Sequence, residues 1–390
     1  MAQPIPKRIL ENNPEVANHP FYTLLIDGSN LLQVSFMGDK RLSSDGRRIG
    51  GVFQLLLQIK LLLRKGNFDY VYAMWDGERS GQMRFNIYPD YKANRDKSFD
   101  DAELSMYMKA VNEKIRRTMR YIERKKTMSN EKIREKEAEK EEFHREREIV
   151  MQCLEELFIR QCLCNEVEAD DLIAYYVKHK KTEEKIVIVS NDRDLTQLIR
   201  DDVTVYLPNL KKFVTPKNHK ELMGYPSENV VVKKILCGDT SDNIKGIKGL
   251  GEATLFKNIP EFTQRKMALD EVVRRSNEIN EQRAAEKKKP LKWAENVVNR
   301  VTDGVQGDRI YEINKAIIDL SNPLMTPEAI DNMKALMYNP LDPEGRSMEN
   351  LYAIIKENNI DDLLDADKFS NFFIEYMNLI EKEKKRYKNR

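Results

Sequence analysis

Nine acidic residues fall in short groups along this sequence: Asp27 in IDGSN, Asp76 in WDGE, Glu168, Asp170 and Asp171 in VEADD, Asp192 and Asp194 in NDRD, Asp239 and Asp242 in GDTSDN. Carboxylates so crowded repel one another, and each one that is buried also costs desolvation. Either they face water as ordinary helix-start and turn acids, or cations sit among them. The grouped residues offer hard oxygen donors without histidine or cysteine, a set that selects Mg2+ or Mn2+ over zinc. Two such ions roughly 4 Å apart serve phosphodiester hydrolysis: one activates the attacking water and the other stabilises the leaving oxygen. If all these carboxylates converge they are too many for one magnesium ion, which favours two.

Convergence needs elements that bring the groups together. FYTLLID (21–27), DYVYAMWD (69–76) and EKIVIVSND (184–192) are short β-rich runs with an aspartate at or near the end, and VTVYLP (203–208) reads as a further strand. Between them GVFQLLLQIKLLLRKG (51–66) and the segment Glu148–His179 carry helical patterns. Strands alternating with helices predict an α/β domain with a parallel sheet. In such sheets the ligand crevice lies beyond the carboxyl ends of the strands, where Asp27, Asp76 and Asp192 stand. One strand-terminal aspartate is commonly a cap or turn former. Three of them, joined by the acids of VEADD, point to a shared acidic cleft.

The 390 residues accommodate two domains, and 41% hydrophobic content allows a real core. A net charge of +2 announces no nucleic-acid partner by itself, so local charge must carry that argument. The four cysteines and four histidines never fall at zinc spacing, and three cysteines clustered beside VEADD suit a reducing cytosol. The first twenty residues lack the apolar run of a signal peptide, and no stretch approaches the roughly 18 apolar residues of a membrane span. A soluble cytoplasmic protein with no membrane contact is expected.

Two further stretches bear on nucleic acid. In GDTSDNIKGIKGLGEATLFKNI (238–259), Gly246, Gly249 and Gly251 separate two helical patterns, with Lys245 and Lys248 between them. Bare backbone amides there can approach a phosphate, which is sequence-independent binding. Residues 96–148 are highly charged, with a basic run RRTMRYIERKK (116–126) and an acidic one EKEAEKEE (135–142). They read equally as a solvated helical arm or as a patch gripping a phosphodiester backbone. Past Ile259, apolar residues at helical spacing predict an α-helical extension over 260–390.

Taken in order, IDGSNLL, WDGERSGQMRFNIYPDYKANR, VEADDLIA, SNDRDLTQL and CGDTSDNIKGIKGLGEATL resemble the signatures of the 5′-nuclease family, which includes flap endonucleases and the 5′-nuclease domains of bacterial DNA polymerases. The resemblance spans residues 22–259, and the helical tail is similar to the T4-type phage ribonuclease H branch. It implies a PIN-like parallel-sheet core over 21–230 behind an N-terminal tail of 1–20. A helical arch over 84–148, a helix–three-turn–helix DNA clamp over 231–259 and a helical domain over 260–390 complete it. Carried over by position, Asp27, Asp76, Glu168, Asp170 and Asp192 would hold a first metal, and Asp171, Asp194, Asp239 and Asp242 would complete a second. Lys92 and Arg95 match the cations at the base of the arch that contact the scissile phosphate, Arg84 a neighbouring cation, and Tyr91 a residue that stacks on a base. Two departures stand out. Ala253 follows Glu252 where many relatives have lysine, and the stretch from Arg95 to Glu168 is longer than in many bacterial members.

The expectation is a Mg2+- or Mn2+-dependent 5′→3′ exonuclease and flap endonuclease, acting as a monomer on branched or nicked duplex DNA and RNA–DNA hybrids, including RNA primers. A single-strand-binding protein is an expected partner through 261–390. A non-catalytic structure-specific DNA-binding protein and an RNA-processing PIN-type nuclease are the alternatives. A pure binder gains nothing from repelling carboxylates near phosphates, and the glycine-rich turn favours DNA clamping over the smaller RNA-processing core.

Overall fold

The computed structural model describes residues 20–94, 130–364 and 366–390. The tail before Pro20, most of the proposed arch, the basic run 116–126 and Arg95 lie outside the described residues. The chain divides into two compact units.

The first comprises residues up to Glu78, Arg134–Val214 and Met325–Arg390. Its centre is a six-stranded sheet of β1 (Phe21–Asp27), β2 (Tyr70–Asp76), β3 (Arg160–Cys164), β4 (Glu184–Val189), β5 (Val203–Leu207) and β6 (Lys212–Val214), in the order β3-β2-β1-β4-β5-β6. All neighbours are parallel except β5 and β6, so this is the α/β fold that the alternation of strands and helices predicts. Leu24, Leu25 and Ile26 of β1 are all buried, as are residues 71–75 of β2. Near-continuous apolar runs of this kind belong to parallel strands covered on both faces.

The order reverses direction between β1 and β4: β2 and β3 extend to one side of β1, β4 and β5 to the other. Such a switch point leaves a crevice at the carboxyl ends, where Asp27 closes β1 and Asn191–Asp192 follow β4. The helix Gly50–Lys65, the helix Asn130–Glu156 and the C-terminal helix Ala366–Lys388 share a core with β1 and β2 that includes Leu56, Ile59, Val150, Leu154 and Tyr376.

The segment Glu148–His179, which the sequence reads as helical, divides into the end of the helix Asn130–Glu156, the edge strand β3 and the helix Ala169–His179. Five residues of mixed polarity give no helix-breaking signal, and β3 is held by its ladder to β2. The C-terminal residues are fastened at the opposite end of the sheet from Asp27. Arg160 of β3 makes a fully buried bidentate pair with Glu383 (2.6 and 2.7 Å), and Tyr338 donates to Glu184 at the start of β4.

The second unit, Arg79–Ile133 with Thr215–Leu324, therefore takes only part of the helical extension read over 260–390. It holds the helices Val230–Cys237 and Glu252–Asn258, joined through a small antiparallel ladder of Gly238–Asp239 with Ile244–Lys245. Leu236, Ile247 and Leu255 pack there with Phe262, Val297 and Ile310.

Candidate metal centre and nucleic-acid contacts

The carboxyl end of the sheet holds the acids of the first unit. Asp27 is buried; its Oδ1 accepts the N–H of Asn30 (3.0 Å) and its Oδ2 the hydroxyl of Ser190 (2.8 Å). The same Ser190 oxygen accepts the N–H of Asp192 at 2.9 Å, so one hydroxyl sets the ends of β1 and β4 against each other. Asp192 Oδ1 in turn accepts the N–H of Asp194 (2.8 Å), capping the short helix Arg193–Leu198. Asn30 Oδ1 accepts the N–H of Asn191 at 2.9 Å, a second tie across the switch point.

Asp76 ends β2. Its N–H donates to Ser29 Oγ (2.8 Å), and its carboxylate accepts the N–H of Ala169 (2.8 Å) at the start of the helix Ala169–His179. Gly77 follows because the chain passes against Cys164: a Cβ there would stand 1.8 Å from that carbonyl oxygen. Glu168 and Asp171 are buried at the same helix start, and Asp170 is half-buried between them.

Electrostatics mark these groups as one cluster. Burial, with the charges of Asp76 and Asp192 added, pushes the Asp27 carboxyl up to about 7 against the hydrogen bonds from Asn30 and Ser190. Burial also drives Asp170 well above the usual carboxylate range, reinforced by Asp192, Asp27, Glu168 and Asp76. Carboxylates crowded so that their charges raise Asp27 and Asp170 are a destabilising arrangement unless protons or cations offset them. Their donors are all hard oxygens, so a divalent ion such as magnesium or manganese fits the set.

The remaining candidates lie in the second unit. Asp239 accepts from Lys234 Nζ (2.5 Å) and from Ser241. Burial alone would raise its carboxyl, but the Lys234 charge and these hydrogen bonds hold it at about 2. Asp242 is half-buried; its carbonyl accepts the N–H of Lys92 (2.8 Å) and its carboxylate the hydroxyl of Tyr91 (3.4 Å). Lys92 sits at φ 52°, with Nζ 4.8 Å from the Tyr91 ring centre.

Two side chains differ from their sequence reading. Tyr91, expected to stack on a base, is buried in a cluster with Tyr88, Ile244, Ile317 and Ile318, where its ring meets side chains. Arg84, expected as a phosphate cation, is buried too, and its Nε donates to the carbonyl of Ile317 (2.9 Å). In both cases the apolar residues of 310–318 supply a cover that the local motif does not reveal.

The glycine-rich turn is braced from outside its own motif. Gly246 passes so close to Cys237 and Gly238 that a Cβ would stand 2.3 Å from the nearest backbone atom. Thr302 Oγ1 donates to the Gly246 carbonyl (2.8 Å), Asn296 to that of Lys248 (2.8 Å), and the buried Asn314 to that of Lys245 (2.9 Å). Gly249, at φ +79°, and Gly251 are exposed, and their N–H groups donate to no described residue. Lys245 and Lys248 are exposed beside them; Lys248 pairs with Asp303 at 2.8 Å.

The residues beside the acids that sequence reasoning missed are small and polar. Ser29, Asn30, Ser190 and Asn191 each stand beside a strand-terminal acid within IDGSN or SNDRD, and that adjacency was the available signal.

Comparison with known proteins places the chain in a family. Residues 22–224, just over half of the 390, match the family described as 5′–3′ exonuclease, N-terminal resolvase-like domain. DNA polymerase I of Bacillus subtilis is 36% identical over 110 residues, covering 27% of this chain and 12% of the polymerase. DNA polymerase I of Mycobacterium tuberculosis is 28% identical over 258 residues, covering 64% of this chain and 24% of the polymerase. The chain thus spans a quarter or less of the length of these relatives. Among solved structures, T5 5′-exonuclease with bound divalent metal ions (zinc) superposes with a TM-score of 0.55 at 17% identity, over 86% of this chain and 97% of that one. The bacteriophage T5 flap endonuclease in a complex with DNA and metal ions gives 0.53 at 17% identity, over the same shares. These structural likenesses concern the fold, while the sequence match to residues 22–224 places the chain: it belongs to the 5′–3′ exonuclease family.

Proposed function

We propose that this chain is a divalent-metal-dependent 5′→3′ exonuclease and flap endonuclease that hydrolyses phosphodiesters in branched or nicked duplex DNA and in RNA–DNA hybrids, RNA primers among them. The observation that carries the reading is the gathering of Asp27, Asp76, Glu168, Asp170 and Asp192 at the sheet's switch point, with Asp27 buried and its carboxyl pushed up to about 7 by burial and neighbouring charge. Such repulsion in the protein alone is the counterpart of affinity for cations.

Asp27, Asp76, Glu168, Asp170 and Asp192 would hold one Mg2+ or Mn2+. The family resemblance of the sequence assigns Asp171, Asp194, Asp239 and Asp242 to a second. When bound, two such ions supply an activated water and a stabilised leaving oxygen. Ser190 ties the Asp27 carboxylate to the backbone of Asp192 and Asn30 holds the backbone of Asn191, so the ends of β1 and β4 that carry these acids are set against each other before binding. Lys92, held by its backbone to Asp242, steadies the negative charge that develops on the phosphoryl oxygens. Arg95 is assigned the same task by its place in YPDYKANR. The exposed amides of Gly249 and Gly251, with Lys245 and Lys248, take the backbone of the duplex without reading its sequence. The protein is taken to act as a monomer in the cytoplasm, meeting a single-strand-binding protein through its helical residues past Ile259. Among the described residues no helix is long and apolar enough to cross a membrane.

The test is incubation with a 5′-labelled flapped or nicked duplex, and with a duplex carrying a 5′ RNA segment, in Mg2+, in Mn2+ and in EDTA. Release of short 5′ products that EDTA abolishes is expected. Tight binding without cleavage in either metal would overturn the enzymatic reading and leave a DNA-binding scaffold.

A further inference from the structure

One turn of the helix Asn130–Glu156 packs against the helices Gly28–Gly38 and Gly50–Lys65. Phe143 packs edge-on against Phe36 at 5.3 Å, and Glu146 Oε2 accepts the N–H of Val52 (2.8 Å). The next residue is Arg147. Its Nη2 donates to the main-chain carbonyl of Asp76 at 2.7 Å, and its guanidinium carbon lies 5.7 Å from the centre of the Trp75 ring. The group is therefore laid over the carboxyl end of β2, against the residue whose side chain joins the acid cluster. Arg145, two residues earlier, is paired with Glu142 at 2.9 Å. Arg147 forms no ion pair among the described residues, although Asp76 is close enough for its charge to act on the guanidinium. Nε is buried without a partner, and the residue as a whole is half-buried.

A brace for the Asp76 carbonyl needs only a neutral donor. Half-burying a full positive charge for that purpose costs desolvation, which the neighbouring Asp76 charge offsets only in part. The cost is explained if a second anion completes the site. The acid cluster repels a phosphodiester, and a cation at its edge offsets that repulsion. A planar guanidinium already fixed along one edge loses little freedom when the remaining edge takes a phosphate oxygen.

We propose that Arg147 is a phosphate-contacting residue of the acidic site, taking a non-bridging oxygen of the substrate backbone through the edge not used on Asp76. This rests on the nuclease reading above and adds a cation that none of the family motifs in this sequence contains.

The experiment is equilibrium binding of the full chain to a flapped duplex, with calcium in place of magnesium, across roughly 50 to 300 mM potassium chloride. Arg147→Gln retains a donor for the Asp76 carbonyl without the charge. It is expected to weaken binding about three- to tenfold and to reduce the slope of log affinity against log salt by about one. Arg147→Lys, which keeps the charge, is expected to hold the wild-type slope. The affinity of the protein for Mn2+ without DNA, read by titration calorimetry, is expected to be unchanged or tighter in Arg147→Gln, because a cation has left the acids. A wild-type salt slope in Arg147→Gln overturns the proposal, as does a loss of Mn2+ affinity at unchanged slope, which would mark a brace for Asp76 and nothing more. Should the glutamine protein fail to fold, Arg147→Met follows the same path over Trp75 without charge and must show the same reduced slope. A wild-type protein that binds no duplex at any salt overturns both this inference and the reading beneath it.

Discussion

The carboxylate of Asp76, at the end of β2, accepts the backbone N–H of Ala169 at 2.8 Å and so caps the helix that carries Asp170 and Asp171. Glu168, at that helix's N-cap position, makes no side-chain cap of its own. An acid that looked from sequence like an independent ligand is thus also the element that sets the helix start of VEADD in place. A negative charge at a helix N-terminus is favourable, which offsets part of the repulsion among the clustered acids.

Replacing Asp76 separates these two contributions. Asp76→Asn and Asp76→Ala both remove the charge, but only asparagine keeps an acceptor for the Ala169 N–H. Urea unfolding is expected to find the alanine protein less stable than the asparagine protein by about 1 kcal/mol, the usual size of a lost cap. Equal stability would show that the cap contributes nothing.

Ser190 holds the backbone N–H of Asp192, and the Asp192 carboxylate, whose charge acts on Asp27 and Asp170, also caps the start of the helix Arg193–Leu198. Asp192→Asn is expected to abolish cleavage while DNA affinity is kept or improved, since one repelling charge is gone. Gel-shift titration beside a cleavage time course reads both. Loss of binding together with cleavage would count against a purely catalytic role.

For Lys92→Ala a large fall in single-turnover rate is expected, with a smaller change in affinity for the same duplex. That pattern belongs to an interaction made chiefly in the transition state. Near-normal turnover would sink the role assigned to Lys92.

Glu146 gives a pH signature away from the acid cluster. Burial pushes its carboxyl up from the ordinary 4.5 to about 7, outweighing the Val52 N–H and the Arg48 and Arg145 charges. A carboxyl raised in the folded state favours folding when protonated. That contribution is fully present below about pH 4.5 and is lost as pH rises through about 7. Relative to wild type, Glu146→Gln should therefore gain up to about 3 kcal/mol in stability between those limits. Chemical denaturation in EDTA at the two pH values checks it, and a pH-independent difference would contradict the raised carboxyl.

Much of this arrangement was legible in the sequence because its cause is local. FYTLLID and DYVYAMWD are apolar runs ended by an acid, and they fold as β1 and β2 with Asp27 and Asp76 at their carboxyl ends. What was hidden depends on residues distant in the chain. The cover over Tyr91 and Arg84 comes from Ile317 and Ile318, and the brace on the glycine-rich turn from Asn296, Thr302 and Asn314. Neither contact has a spacing that a motif could carry. β3 was missed for a related reason: RQCLC is too short to overrule the helical patterns on either side, and only its pairing with β2 makes it a strand.

The binding of divalent cations by the clustered carboxylates is tested by anomalous diffraction from crystals grown with Mn2+. Peaks coordinated by oxygens of Asp27, Asp76, Glu168, Asp170 or Asp192 are expected, and their loss in Asp192→Asn. Well-ordered crystals in millimolar Mn2+ with no anomalous density among those carboxylates would contradict it.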